Sequence, residues 1–416
     1  MTARRASERA DQRTVDVRVL LAVEQLRRAV PGGIGTYARG LLRGLGVGPG
    51  APAGRSSTPP ATVELGLLAG RPRGARRQAG EADPLARFGL PVHASWLPGR
   101  LLTRAWDHGL VGAPDGYEVV HAVSQAFPPV RRRAGRPALV VAVHDLAWRL
   151  APTATTRRGR RWHEASLARA LACADTFVVP SEPVAADLVH AGADRSRVAV
   201  VGLGVDHLAP PDRQGAAALL ARSGVDGDFL LSVGTLEPRK NLGGLVAAYG
   251  EARPSLPGPL PLVVVGPTGW GGGSSAAGGD ELRRGKLLGT PGVVRLGPVS
   301  DGVLAALYAG ARAFVYVPFV EGFGLPPVEA MSMGTPVVAS RSVPSVGRPD
   351  GAEPTALLVE PDDRAAIAAA LVAVTSDDGL RADLMRAAGV DVAGRTWQEA
   401  ARVHLELWAE LASARS

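Results

Sequence analysis

The feature that most limits what this chain can fold into is a rhythm. Short β-branched runs alternate with longer stretches of helical period, and they do so in two successive series. The first series opens with Val17–Val23, an apolar run of strand length. Pro31-Gly32-Gly33-Ile34-Gly35 and a helical stretch from Thr36 to Leu45 follow. Further strands are expected at Ala61–Leu68, Val119–Ala122, Ala138–His144, Thr176–Val179 and Val198–Val201. The second series begins after Ala209–Gln214, with strands expected at Phe229–Val233, Leu262–Val265, Val293–Leu296, Ala313–Val317, Pro336–Ala339 and Ala356–Val359. Helical segments fall between most of them. Runs of this kind suit parallel sheets covered by helices on both faces, so the chain reads as α/β with two doubly wound, Rossmann-like domains. It closes with an amphipathic stretch from Trp397 to Leu411.

Size and composition agree. The 416 residues, 46% of them apolar, are too many for one ordinary core and sufficient for two. The 52 Gly and 34 Pro punctuate periodic segments instead of forming a tract. Gly46–Pro60 and the glycine-serine stretch Trp270–Gly279 read as surface loops. The formal charge of +8, with clusters at Arg131-Arg132-Arg133 and Arg157-Arg158-Gly159-Arg160-Arg161, suits anionic partners. No basic stripe interleaved with aromatics, zinc-finger spacing or helix-turn-helix pattern accompanies it, which argues against nucleic acid. Cys173 is the single cysteine, so one chain can form neither a disulfide framework nor a cysteine metal cluster. Met1 to Val15 is polar and charged, and no window reaches the roughly 20 apolar residues of a membrane span. The expected location is cytoplasmic, at most peripheral on the inner face of a membrane.

In open parallel sheets, ligands bind beyond the carboxyl ends of the strands. After the run ending at Val317 comes Pro318-Phe319-Val320-Glu321-Gly322-Phe323-Gly324-Leu325-Pro326-Pro327-Val328-Glu329-Ala330. The glycines allow close approach of the backbone to a ligand. Pro326 and Pro327 suit the first turn of a helix, whose free amides can hold an anion. Glu321 and Glu329 could bind hydroxyls on either side of a diphosphate; a plain strand-to-helix turn with two solvated glutamates is the alternative. After Val233 comes Gly234-Thr235-Leu236-Glu237-Pro238-Arg239-Lys240-Asn241. An Arg-Lys pair there can neutralise charge developing on a leaving diphosphate, or can simply be surface charge. Of the 47 basic residues only Lys240 and Lys286 are lysine. In so arginine-biased a chain, a lysine in this loop favours a need for a compact ammonium.

The stretch Glu321 to Glu329, with Met331-Ser332-Met333-Gly334-Thr335-Pro336-Val337-Val338 behind it, resembles the donor-site signature of retaining GT-B glycosyltransferases. The most similar group is the bacterial family four (glycosyl transferases group 1), which has mannosyl- and rhamnosyltransferase-like members. Val233 to Asn241, Val143-His144-Asp145-Leu146, Val179-Pro180-Ser181-Glu182 and Val201-Gly202-Leu203-Gly204-Val205-Asp206 are similar to further segments of that family, in the same order.

The resemblance implies a GT-B fold, with two domains facing each other across a cleft. An acceptor-side domain would span 1–208 and a nucleotide-sugar-binding domain 209–390, with a terminal helix, 391–416, packing back toward the first. It implies retaining transfer of a hexose from a nucleoside-diphosphate sugar to a hydroxyl of a glycan or lipid-linked acceptor. GDP-mannose is the first donor to test, and neither cofactor nor metal is expected.

Roles follow by position. Glu329 would hold the ribose and Glu321 a sugar hydroxyl. Arg239 and Lys240 would contact the diphosphate, and His144 would lie beside the reacting sugar. The amides of Gly322, Phe323 and Gly324 would face sugar and phosphate, with Leu325 and Gly234 completing the donor site. Gly32, Gly33 and Gly35 would form a loop closing it. Two departures stand out: Thr235 where many relatives place Arg, and Val343-Pro344-Ser345-Val346-Gly347 where a Pro-Glu pair is usual. A nucleotide-sugar epimerase, a glycoside phosphorylase and a catalytically silent scaffold are the competing functions. A dinucleotide-binding dehydrogenase is disfavoured, because Gly32-Gly33-Ile34-Gly35 lacks the three-glycine spacing.

Overall fold

The computed structural model describes residues 17–28, 31–49, 63–72, 83–130, 135–267, 289–346 and 354–415. Met1 to Val15, Arg131-Arg132-Arg133, most of Gly46–Pro60, Trp270–Gly279, Lys286 and Gly347 lie outside the described residues. Among those described, thirteen strands form two sheets. The first has the order β3-β2-β1-β4-β5-β6-β7. Its strands are β1 (Val17–Ala22), β2 (Val63–Arg71), β3 (Val92–Pro98), β4 (Val119–Ala122), β5 (Ala138–Ala142), β6 (Thr176–Val179) and β7 (Val198–Val200). The second, β10-β9-β8-β11-β12-β13, comprises β8 (Leu230–Val233), β9 (Leu262–Val265), β10 (Val293–Gly297), β11 (Ala313–Tyr316), β12 (Val337–Ser340) and β13 (Leu357–Val359). Pairing is parallel in both, as the continuous apolar runs require.

The expected strands form, most with ends shifted by one or two residues. Two differences have physical causes. Strand β3 was not expected: Val92-His93-Ala94-Ser95-Trp96-Leu97-Pro98 lies at a sheet edge, half exposed along its length, and so carries no apolar signal. The glycines at 32, 33 and 35 do not form a loop, contrary to expectation. They are the first turn of a helix, Gly32–Gly44, which buries Tyr37, Leu41 and Leu42. A Cβ on Gly35 would fall 2.2 Å from the Pro31 side chain, so only glycine lets the chain enter the helix there.

The chain divides into two compact units. One comprises 1–142, 169–178 and 400–416; the other comprises 143–168 and 179–399. The core of the second packs Leu230, Leu262, Val264, Val315 and Val338 against Leu245, Ile367, Leu371 and Val374 from flanking helices.

Inside the first unit lies a fully buried polar chain. The Trp408 indole donates to His121 Nδ1 (3.2 Å), Tyr37 Oη lies 3.1 Å from His121 Nε2 and 2.8 Å from His404 Nε2, and His404 Nδ1 lies 2.7 Å from the Ala400 carbonyl. Because an indole only donates and a carbonyl only accepts, one tautomer satisfies every bond: His121 protonated on Nε2 and His404 on Nδ1. Both rings are therefore neutral. Burial holds His404 down to about 4, against its bond to the Ala400 carbonyl, which pushes it up. The stability contributed by this neutral ring is present above about pH 6.5, where the unfolded side chain titrates. It is lost progressively as pH falls toward about 4, roughly 3 kcal/mol in all. Urea midpoints compared at about pH 7 and pH 4.5 are expected to fall more steeply in the wild type than in His404→Gln. Equal pH dependence would show that His404 does not carry the effect.

Candidate active site

The strand order of the second sheet reverses between β8 and β11, which pair side by side through Leu230 with Ala313 and Leu231 with Phe314. At such a reversal the following loops turn to opposite faces and leave a crevice at the carboxyl edge. The loop after β8 supplies Arg239 and Lys240; the loop after β11 supplies Glu321 and the glycines.

These side chains converge. Lys240 Nζ donates to Glu321 Oε2 and to the Tyr316 hydroxyl, and Tyr316 itself donates to Glu321 Oε2 at 2.6 Å. Arg239 reaches the same oxygen at 3.3 Å through Nη1, and Glu237 at 3.1 Å through Nε. The loops are also tied by the backbone, Phe319 N donating to the Arg239 carbonyl at 2.9 Å. Burial would raise Glu321, but Lys240 and then Arg239 outweigh it and bring the carboxyl down to about 2. It is an anion across the neutral and mildly acidic range. Burial opposes the charge on Arg239, yet Glu321, Asp145 and Glu237 raise it above its ordinary value. Burial pulls Lys240 below its usual range against the attraction of Glu321, with neighbouring Arg239 pushing the same way as burial.

The glycine turn is shaped by the protein's own backbone. A Cβ on Gly322 would lie 1.8 Å from the His144 carbonyl oxygen, and Ser181 Oγ donates to the Gly322 carbonyl at 2.6 Å. The backbone carbonyl of His144, just beyond β5 in sequence, thus lies directly against the turn that follows Glu321. Gly324 has φ +94°, and its carbonyl accepts from Ser345 Oγ at 2.7 Å. It precedes the helix Leu325–Ser332, whose start has no side-chain cap. Pro326 and Pro327 carry no N–H, so two of the four amides that such a helix start leaves free are missing here. Gly234 is different: a Cβ there would find only the Tyr316 ring edge, at 3.9 Å.

Glu329 lies one turn into this helix, buried, with each oxygen bonded. Tyr308 donates to Oε2 at 2.8 Å, and His207 Nε2 sits 3.0 Å from Oε1. Of the thirteen expected site residues, ten lie in this unit, and Glu321, Lys240 and Arg239 form one cluster. Gly32, Gly33 and Gly35 belong to the other unit. Sequence reasoning missed Tyr316, which reads as core, and Tyr308, Ser181 and Ser345, whose partners are distant in sequence. It also missed His207, although that residue directly follows the quoted segment ending at Asp206.

Comparison with known proteins agrees with this fold. Residues 222–389 match the family described as Glycosyl transferases group 1, and residues 61–207 match Glycosyltransferase Family 4. The chain is 31% identical over 354 residues to D-inositol 3-phosphate glycosyltransferase of Streptomyces avermitilis, covering 79% of this chain and 72% of that protein. It is 41% identical over 157 residues to O-antigen chain mannosyltransferase B of Escherichia coli; this stretch spans 37% of this chain and 38% of that one. Its fold is similar to that of HepE from Anabaena, solved with UDP and glucose, at a TM-score of 0.66 and 17% identity, covering 95% of this chain and all of that one. Parallel sheets with this reversal and matches along both halves of the sequence lead to one conclusion: the chain belongs to the group 1 glycosyltransferases and has the GT-B fold.

Proposed function

We propose that this glycosyltransferase moves a hexose, with retention of configuration, from a nucleoside-diphosphate sugar to a hydroxyl of a glycan or lipid-linked acceptor. The observation that carries this reading is the convergence of Lys240, Arg239, Tyr316 and Glu321 at the β8/β11 reversal. An ammonium and a guanidinium fixed beside one carboxylate are preorganised cations, and their remaining N–H donors can receive charge as it develops on a departing diphosphate. Arg239 thus stands in for an arginine at Thr235, and the leaving group is met by side chains with no resident metal required. Glu321 orients the two cations and binds a sugar hydroxyl. His144, whose backbone carbonyl lies against the Gly322 turn, faces the sugar, and Glu329 takes the ribose.

Mannose is favoured by the mannosyltransferase relative, and a polyol or glycan hydroxyl as acceptor is consistent with the inositol-phosphate relative. Work at the cytoplasmic face of an anionic membrane is supported by the first unit. Its helix Gly99–Asp107 buries Leu102, Ala105 and Trp106, and exposes Leu101 beside Arg100 and Arg104; Trp96 and Leu110 nearby are three-quarters exposed. Among the described residues, no helix is long and apolar enough to cross a membrane.

The test is a donor-hydrolysis and thermal-shift screen against GDP-mannose, UDP-glucose, UDP-GlcNAc and dTDP-rhamnose, with and without EDTA and anionic vesicles. One donor is expected to stabilise the protein and to turn over slowly, unaffected by EDTA, with the protein co-sedimenting with the vesicles. Stabilisation without turnover, even with acceptor extracts, would point to a silent binding protein. No donor stabilising it at all would overturn the donor-site assignment, and vesicles failing to retain the protein would remove the membrane part.

A further inference from the structure

Glu329 is held from two sides inside the second unit, by Tyr308 and by His207. His207 Nε2 lies 3.0 Å from Glu329 Oε1, and its other nitrogen, Nδ1, accepts the Trp397 indole N–H at 3.1 Å. An indole can only donate, so Nδ1 carries a lone pair and the imidazole proton sits on Nε2, aimed at the carboxylate. Tyr308 donates to the other oxygen at 2.8 Å from a fully buried position. Each carboxylate oxygen has two acceptor directions. The interior uses one on each oxygen, which fixes the plane of the group and leaves one on each for a ligand.

The segment carrying His207 is itself anchored. A Cβ on Gly204 would fall 2.2 Å from Trp397 N, Val205 N donates to the Arg395 carbonyl at 2.9 Å, and Asp206 Oδ1 accepts from Trp397 N at 2.7 Å. Four consecutive residues, 204–207, therefore lock onto Arg395 and Trp397. The most economical account of that construction is control over where the imidazole points.

We infer that His207 is a positioning residue: clamped by Trp397, it holds the Glu329 carboxylate in the one orientation that presents both remaining lone pairs to a vicinal diol, the ribose of a nucleoside diphosphate. This rests on the reading of Glu329 as the ribose ligand. Two parallel acceptors on a fixed carboxylate match two adjacent hydroxyls, whereas a freely rotating carboxylate would lose orientational entropy on binding them.

The test measures binding of UDP, GDP and ADP to the full chain by calorimetry, and donor KM and kcat, for wild type, His207→Ala and His207→Gln. Glutamine places an amide N–H at about the reach of Nε2. In His207→Ala, affinity for the nucleotide that the wild type prefers is expected to fall roughly 10- to 100-fold. Donor KM should rise in parallel while kcat stays within about twofold, because a ground-state contact is lost and the transferring end is untouched. His207→Gln should recover most of the affinity, and the matching 2′-deoxynucleotide should bind wild type and His207→Ala nearly alike.

Two results would overturn the inference while leaving the ribose reading intact. One is unchanged affinity in His207→Ala. The other is a parallel fall in kcat and melting temperature that glutamine does not rescue, which would mark a merely structural residue. A wild type that does not distinguish any nucleotide from its 2′-deoxy form would remove the ribose reading itself and the inference with it.

Discussion

Glu321→Ala is expected to reduce donor turnover to below about 1% of wild type and to cost about 3–5 kcal/mol of stability, whereas Lys240→Ala should match the first loss without the second. The asymmetry follows from the wiring. Lys240, Arg239 and Tyr316 all direct donors at one carboxylate oxygen. Removing that carboxylate takes from Lys240 its ion-pair partner and leaves it largely buried beside a second cation, Arg239, whose remaining carboxylate partner is Glu237. Removing the ammonium instead leaves Glu321 with Arg239 and Tyr316, still paired and still low in pKa. Lys240→Ala should therefore fold nearly as stably as the wild type while losing about 10²–10³ in kcat, the usual cost of deleting one preorganised electrostatic group. Lys240→Arg should not restore activity, since a planar guanidinium cannot reproduce a point charge shared between a hydroxyl and a carboxylate. Denaturant midpoints and donor hydrolysis on the same preparations separate the two effects. A Glu321→Ala protein as stable as Lys240→Ala would show that the cluster is not coupled in this way.

How far the sequence revealed this site depends on the range of the contact involved. The sheets were legible because parallel strands buried on both faces must be continuously apolar, as Ala138–Ala142 and Leu262–Val265 are. Glu321, Arg239 and Lys240 were legible for a topological reason: they follow strands, and ligands gather beyond strand ends. What periodicity cannot encode is which distant segment meets which. His207 and Glu329 are 122 positions apart, and Ser181 and Gly322 are 141 apart. Tyr316 was hidden differently, because a tyrosine at the end of an apolar strand looks like core until its hydroxyl is seen among charges. The glycines at 32–35 misled in the opposite direction. The family resemblance implied a loop, but burial of Tyr37, Leu41 and Leu42 draws these residues into a helix despite their low intrinsic propensity.

Two glycines of the proposed donor site separate under substitution into one that the fold cannot spare and one that it can. Read from sequence, Gly322 allows close approach of the backbone to a ligand and Gly234 completes the donor site. In the structure, the space beside Gly322 is taken by the His144 carbonyl, 1.8 Å from where a Cβ would stand, with Asp145 Cβ at 3.0 Å. A backbone carbonyl cannot swing aside as a side chain can. Gly322→Ala must therefore push the 143–146 segment away from the turn or open the turn that follows Glu321, stretching the Ser181 bond to the Gly322 carbonyl as well. Overpacking against backbone of this kind is expected to cost about 3 kcal/mol, a fall of roughly 5–10 °C in the melting midpoint of this unit. Donor turnover should fall at least tenfold further than the unfolded fraction explains, because His144 and Glu321 lose their mutual registration, and misplacement of about 1 Å can cost as much as 10²-fold. Gly234→Ala meets only a ring edge at 3.9 Å, ordinary van der Waals contact, and should melt within about 1 °C of wild type. Calorimetry of both variants, with donor hydrolysis alongside, decides the matter. If Gly322→Ala melts with the wild type and turns over normally, the contact between the two loops is not what positions His144, and its place beside the sugar loses its structural support.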